Sequence, residues 1–546
     1  MGLSRMEARI RSKGAMPARL VGLLGAVAAV ALFAPAAASA TPPAAGCDGG
    51  TPAGGTLTTY ECNVPTGTIG GYEVRQWYMG VPTPPQDGFI THMQTDVVDD
   101  VTGEQVPIQR LMLHHIVFIN ANRTDATCEG QGYTGFDGRK DFGNTFAPQR
   151  FYAAGEERAK MSLPAGYGYR TRWTDPTHHD NWAVVAMVMN HKSAPDHAFI
   201  HYEVTIDSNP ALTPVTPYWF DVRDCHADPI YNIPSVAQQA KKAKKGKGSK
   251  ASAAAKHKKN KGKKGKKKRK KTTAAPTTDA THDITFPESG DLIAGAGHVH
   301  GGAIKETLTQ PDCGNRQVAE SDPTWGLADH PFYNVRPILH EPGPINMSAF
   351  RSTTGLPIHA GETLRLNSIY DDSQPHVRVM GILVAYFAAN PSVTQNCGPI
   401  PNWEILRTDQ PGRSGPIPFT IPLTGLDANG QATPINAPPG QLQNASSGTV
   451  VPVGDRFFGD PNLRVRQGSS LTWQFGGQEL HNLTLANGPE GIGSDNLDGN
   501  RTYTQKFSRP GTYRFFCALH PTQMQERVVV TGKKKHKKHK KHHAKR

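Results

Sequence analysis

The sequence predicts a mainly β protein: two antiparallel, jelly-roll-like β-sandwiches followed by a smaller Greek-key β-sandwich. Three observations point there. Short runs rich in β-branched and aromatic residues recur, as at 184–189, 199–206, 381–387 and 526–531. Turn formers separate them, with 56 glycines and 44 prolines in 546 residues. No long stretch shows the 3.6-residue apolar period of an amphipathic helix, and no solenoid-type repeat is present. A chain of this length exceeds one core, so three or four folding units are expected.

In chain order, the first forty residues read as an export signal. Arg9, Arg11, Lys13 and Arg19 precede an apolar run at 21–34, and Ala38-Ser39-Ala40 fits the small-residue cleavage pattern. Pro35 closes the run before it reaches a comfortable membrane span, and no later stretch is long and apolar enough to cross a bilayer. The mature chain is expected outside the cytoplasm, secreted or in the cell envelope. The first sandwich is placed at 55–235, a Lys-rich linker at 236–279 and the second sandwich at 280–398. A Pro/Gly/Asn-rich connector at 399–449 leads to the third sandwich at 450–532 and a Lys/His-rich tail at 533–546.

The net charge of +14 sits outside these sandwiches. Residues 241–271 hold 18 Lys and Arg with no acid, and 533–546 hold 9 more; without these 27 charges the remainder carries −13. Both tracts lack the apolar residues that offset chain entropy and read as a solvated spacer and tail. They suit retention on an anionic envelope polymer, and His536, His539, His542 and His543 could add metal capture. No base-reading module accompanies the charge, so specific nucleic-acid binding is excluded.

Of the seven cysteines, Cys47, Cys62, Cys128, Cys225, Cys313 and Cys397 can pair in an oxidising compartment, in connectivities the sequence leaves open. Cys517 is left for other chemistry.

In the first half of the body, His114-His115 sits in an apolar strand. A buried His pair is costly unless hydrogen-bonded or metal-bound. Adjacent strand residues face opposite ways, so both rings reach one ion only at a bulge or through different ring nitrogens. Met187-Val-Met-Asn190-His191 ends another apolar strand with a third imidazole, and His201 lies close enough to compete for that role. In the second half, His298-Val-His300 places two rings on one strand face, and Met380 supplies a thioether that favours Cu(I) over zinc. His178, His179, His197 and His376 read as ordinary polar histidines.

In this order the motifs resemble the copper type II, ascorbate-dependent monooxygenases, the family of the peptidylglycine α-hydroxylating and dopamine β-monooxygenases. The run Leu163-Pro-Ala-Gly-Tyr-Gly-Tyr-Arg170 and the strand Gly361-Glu-Thr-Leu add to the likeness, which covers most of 60–398 apart from the Lys-rich insertion. The resemblance implies an electron-supplying copper at His114, His115 and His191. It implies a second, catalytic copper at His298, His300 and Met380, where oxygen reacts. Both would be type 2-like, separated by solvent and substrate, with ascorbate as a reductant. It further implies a disulfide between Cys225 and Cys397. Ala296, Ile382 and Val384 stand where the amidating members carry an Arg, an Asn and a Tyr. Peptide amidation is therefore not expected, and the substrate, small molecule or peptide, stays open.

The last segment carries the sharpest signal: Leu480-His481-Asn482, then Cys517-Ala-Leu-His520-Pro-Thr-Gln-Met524 between two late strands. A thiolate, two imidazoles and a weak axial thioether make a trigonal blue-copper site. This segment resembles the plastocyanin-like cupredoxins over nearly all of 450–532. The resemblance implies a type 1 copper held by His481, Cys517, His520 and Met524, closed to substrate and suited to passing electrons.

The function expected is that of a secreted copper-dependent oxidoreductase. It would be a monooxygenase that uses O2 and an electron donor to hydroxylate an unidentified substrate, with the blue-copper domain feeding the body. The alternative is a non-catalytic extracellular copper-binding or electron-carrier protein. A multicopper oxidase ranks below both, because its trinuclear cluster needs paired H-x-H motifs and only one stands in a suitable strand.

Overall fold

The computed structural model describes residues 43–141, 143, 145–236 and 277–532. The export signal, the Lys-rich linker up to residue 276 and the Lys/His-rich tail lie outside the described residues. Within them the chain is built almost wholly of strands, as expected, and its longest helix is the single turn Pro331–Asn334. Among the described residues no helix is long and apolar enough to cross a membrane.

The strands Leu57–Pro65, Phe199–Asp207 and Gly88–Val98 form the centre of one sheet. The strands Val74–Val81, Trp182–Asn190, Leu111–Thr124 and Pro148–Gly155 form the sheet packed on it. Val64, Ile90, Met93, Ile116, Phe118, Val184, Ile200 and Val204 fill the space between. Phe199–Asp207 alternates buried and half-buried residues, the mark of a sheet with one wet face.

The second sandwich pairs a sheet ordered Thr216–Asp221, Gly381–Ala389, Gly290–Val299, Ala349–Ile358 and Glu404–Leu406 with one ordered Thr277–Thr285, Thr363–Asp371, Ala303–Gln310 and Arg316–Ser321. Residues 381–388 are apolar and buried without alternation because both faces are covered. Leu383 and Phe387 point into this sandwich, while Ile382, Val384 and Tyr386 join the core of the first. The core of the first sandwich therefore extends onto the outer face of the second. Two boundaries differ from the sequence division. Thr216–Asp221 precedes residue 235 yet pairs with Gly381–Ala389, and the strand Thr277–Thr285 begins before residue 280.

The third sandwich stacks a sheet containing Asn462–Arg466, Gln525–Thr531, Gly511–Phe516 and Thr484–Asn487 on one containing Thr449–Gly454, Ser470–Phe475 and Arg501–Lys506. It is mixed: Asn462–Arg466 runs parallel to Gln525–Thr531, and Thr449–Gly454 parallel to Ser470–Phe475. Its core of Val451, Trp473, Phe475, Phe507, Tyr513 and Phe515 continues into Met187, Met189, Val299 and Val379 of the body.

The disulfides are Cys47–Cys62, Cys128–Cys225 and Cys313–Cys397, and Cys517 is free and buried. This corrects the expected Cys225–Cys397 pair. Thr216–Asp221 and Gly381–Ala389 are antiparallel, with Asp221 opposite Ile382 and Thr216 opposite Phe387. The chain thus leaves the two strands at opposite ends, which carries Cys225 and Cys397 to different partners.

Candidate metal centres

Gly511–Phe516 delivers Cys517 into a tight loop closed by backbone bonds from Cys517 N to Met524 O (3.1 Å), His520 N to Cys517 O (3.1 Å) and Met524 N to His520 O (3.0 Å). His481 arrives from the other side, held by paired backbone bonds to Leu497 just before the strand Thr484–Asn487. The Nδ1 atoms of His481 and His520 stand 3.1 Å apart and lie 3.9 and 3.8 Å from Cys517 Sγ. Their Nε2 atoms face carboxylates, Asp455 at 3.2 Å and Glu479 at 3.2 Å, an outer shell that turns Nδ1 inward as the acceptor. Met524 is wholly buried in the same loop.

The donor chemistry fits copper. Burial pushes the Cys517 thiol above its usual range, so a thiolate there needs a cation beside it. Burial, then the neighbouring His481, lowers His520 to about 4, leaving a neutral imidazole ready to bind. A bound copper would supply one-electron redox chemistry at a site shielded from substrate.

The body holds a second cluster. A register shift between the strands Trp182–Asn190 and Leu111–Thr124 falls where Met187 faces His115 and Val188 faces Leu113. His114 is thereby the bulged residue, the device the adjacent pair needed. The two Nδ1 atoms meet at 2.9 Å. His191, just past its strand, donates Nδ1–H to the Ile108 carbonyl at 2.9 Å, and its buried Nε2 has no partner among the described residues. His115 Nε2 is likewise buried and unpartnered. Burial lowers His115 to about 3 and His191 to about 4, so both are neutral donors.

His298 is the penultimate residue of the strand Gly290–Val299 and His300 follows the strand. Their Nε2 atoms stand 3.2 Å apart, with Glu157 2.9 Å from His298 Nδ1. Burial opposes charge on His298, but Glu157 outweighs it and the pKa rises; burial and His298 push His300 well down. Gly155 permits this approach, since a Cβ there would lie 2.7 Å from both Glu157 Oε2 and His298 Cε1. Met380 is buried and lines two cavities, a largely apolar one of about 60 Å³ beside His115 and His298 and one of about 40 Å³ beside His114 and His300.

The two triads are not held apart as expected. The His114 ring centroid is 5.0 Å from that of His300, and His300 is 5.1 Å from His298. The bulge at His114 and the turn at His300 meet where the two sandwiches pack together, so one histidine cluster replaces two solvent-separated sites. His201 is elsewhere, bonded to Asn63 at 2.9 Å and lining a separate cavity with Asp96 and Arg158. His178 and His197 pair with Asp175 and Asp100, and His179 stacks on Trp173. The buried His376 pairs with Glu341 at 2.9 Å. Sequence reasoning missed His340 and Glu156. The His340 ring lies 4.7 Å from that of His114, and Glu156 faces both.

A bonded route joins the centres. Asn482 N donates to Cys517 Sγ at 3.4 Å, and Asn482 Nδ2 donates to Asn496 Oδ1 at 2.9 Å. Arg378 Nη2 donates to that same Asn496 oxygen at 3.2 Å, while the Arg378 carbonyl accepts from His300 Nδ1 at 3.0 Å. Arg378 is held at φ 57°, a left-handed conformation that costs a non-glycine residue about 1–3 kcal/mol unless its surroundings fix it. An ion pair to Asp228 at 2.8 Å helps to do so.

Two families match separate stretches of the chain. A family described as stress up-regulated Nod 19 matches residues 186–390, the stretch that holds His191, His298, His300, His340 and Met380. A family described as copper binding proteins, plastocyanin/azurin family, matches residues 448–531. Amicyanin-alpha of Methylorubrum extorquens is 37% identical over 94 residues, 16% of this chain and 77% of that protein. Among solved structures, an oxidised amicyanin variant is 26% identical over 15% of this chain and 82% of its own, with a TM-score of 0.14. A purple cupredoxin from Nitrosopumilus maritimus is 20% identical over 15% and 99%, again at 0.14. Through its C-terminal cupredoxin domain, a copper-binding domain of the electron-transfer kind, the chain belongs to the plastocyanin/azurin family of copper-binding proteins.

Proposed function

We propose that this protein is an extracellular copper-dependent oxidoreductase whose blue-copper site at His481, Cys517, His520 and Met524 exchanges electrons with metal held by the histidine cluster of the body. The route from Cys517 through Asn482, Asn496 and Arg378 to His300 carries this reading. A redox site with no substrate of its own, wired to a cluster of buried imidazoles, is arranged to feed that cluster. The body's residues then hold the metals, with Glu157 orienting His298 and Arg378 orienting His300. The cavity beside His115, His298 and Met380 gives a small oxidant such as dioxygen a place to enter.

Hydroxylation of an organic substrate, with ascorbate or another donor supplying electrons, follows from the order of the motifs. A second reading, an oxidase that reduces dioxygen without hydroxylating anything, is favoured by the 5.0 Å approach of the His114 and His300 rings. Metal content, optical and EPR spectra and oxygen uptake of the copper-loaded mature chain test both. Several coppers per chain with a thiolate-to-copper band support the shared core of the two readings. Sustained oxygen uptake on a reductant alone selects the oxidase, and uptake that requires an added organic substrate selects the monooxygenase. One copper per chain and no uptake would overturn both and leave an electron carrier.

A further inference from the structure

We propose that the body carries a further metal position, formed by His340, Glu156 and the Nε2 face of His114, that takes a divalent first-row transition ion. It rests on the reading of the body as a metal-binding unit and adds a position that no sequence motif announces. The three residues come from three places in the chain: the bulge in Leu111–Thr124, the turn after Pro148–Gly155 and the loop after the helical turn Pro331–Asn334. One ligand atom from each lies within 4.8 Å of the others.

Glu156 and Glu157 are neighbours with separate tasks. Glu157 turns to His298, while Glu156 Oε1 faces His114 Nε2 at 3.5 Å and His340 Nε2 in closer contact. Glu156 Oε2 is fixed by Gly343 N–H at 2.9 Å, which aims the carboxylate. The side chain is 4% exposed, and its ion-pair partners among the described residues are those two imidazoles, with no Lys or Arg. A buried carboxylate aimed at two imidazoles, with no Lys or Arg beside it among the described residues, is an arrangement that a metal ion completes. Two imidazoles and a carboxylate form the hard, nitrogen-and-oxygen set that suits zinc, iron(II) or copper(II), unlike the thioether-containing set at Met380. Nδ1 of His340 is also buried and unpartnered among the described residues. His114 presents Nε2 here and Nδ1 to His115, which places its ring between two metal positions.

The test counts metal in the full-length mature chain, loaded in parallel with copper(II) and with zinc(II), by elemental mass spectrometry. His340→Ala and Glu156→Gln should each lose one equivalent per chain, with the thiolate-to-copper band unchanged as a control for folding. His340→Gln, which can still hydrogen-bond Glu156, should lose the same equivalent. His114→Ala should lose more than one. Variants of His340 and Glu156 that keep the parent metal content would overturn this position alone. A parent chain with no metal beyond the blue copper would overturn it together with the oxidoreductase reading.

Discussion

Replacing Arg378 by Met tests the junction between the centres. Its guanidinium ends beside Asp228 (2.8 Å), Asn496 (3.2 Å) and the Ser494 carbonyl (3.0 Å), and both members of the ion pair are under 10% exposed. Burial raises the Asp228 pKa and Arg378 opposes that rise, so the substitution strands a carboxylate in the interior. Breaking a buried pair from one side costs about 3–5 kcal/mol, against about 0.5 kcal/mol or less at an exposed position. Arg378→Met/Asp228→Asn removes the stranded charge and should recover most of the loss, giving a coupling energy of about 2 kcal/mol or more in the double-mutant cycle. Guanidinium titrations followed by the copper band and by tryptophan fluorescence would separate the C-terminal domain from the body, which are not expected to unfold as one two-state unit. In stopped-flow mixing with oxygen, the double variant should reoxidise its blue copper more slowly than the parent while keeping its spectrum. A single variant within about 0.5 kcal/mol of the parent, with reoxidation unchanged, would refute both the buried pair and the route.

Cys517→Ser should abolish the thiolate-to-copper band and remove one copper per chain while leaving the body's metals, as metal analysis and EPR would show. Asp221, buried and 3.9 Å from Arg150, has its pKa raised to about 7 by burial, with Arg150 pulling the other way. Because the folded state holds this proton more tightly than the unfolded one, stability contributed here falls as pH rises from about 4 to about 7, at up to about 1.4 kcal/mol per unit. Asp221→Asn should flatten that slope in thermal melts across this range, and an unchanged slope would count against the buried, strained carboxylate. Non-reducing peptide mapping should find Cys128 joined to Cys225 and Cys313 to Cys397. Cys313→Ser/Cys397→Ser opens a span of 84 residues and should cost about 4–5 kcal/mol on the chain-entropy account.

Much of this architecture was legible because it is local. Alternation in 199–207 and unbroken apolarity in 381–388 mark strands with one and two covered faces. The adjacency of His114 and His115 called for a bulge or for different ring nitrogens, and the register supplies a bulge there. The Cys517–Met524 segment closes its ligand loop with its own backbone bonds, so its spacing alone announces the site. Two of the disulfides, Cys128–Cys225 and Cys313–Cys397, were not local. The position of Cys225 follows from the direction in which Thr216–Asp221 enters a sheet whose other strands come much later. The parallel pairs of the last domain are equally invisible to a scan for turns.

The histidine cluster shows where such reading stops. Each motif fixes which rings share a strand, but the distance between motifs depends on how one sheet is covered. Gly381–Ala389 buries both faces, so the second sandwich is pressed onto the first and carries His298 and His300 onto the bulge at His114. His114 and His300, which a solvent-filled cleft would keep apart, become neighbours through the packing of residues such as Ile382, Val384 and Tyr386, which carry no metal-binding group among them. His340 and Glu156 enter from segments with no periodicity at all, and only that packing brings them to His114. How closely the histidine motifs of the two sandwiches approach is therefore decided by an apolar strand, and filling the second sandwich's core at Gly295, where a Cβ would meet Phe350 at 2.5 Å, is the perturbation that should move His298 and His300 without touching either ring.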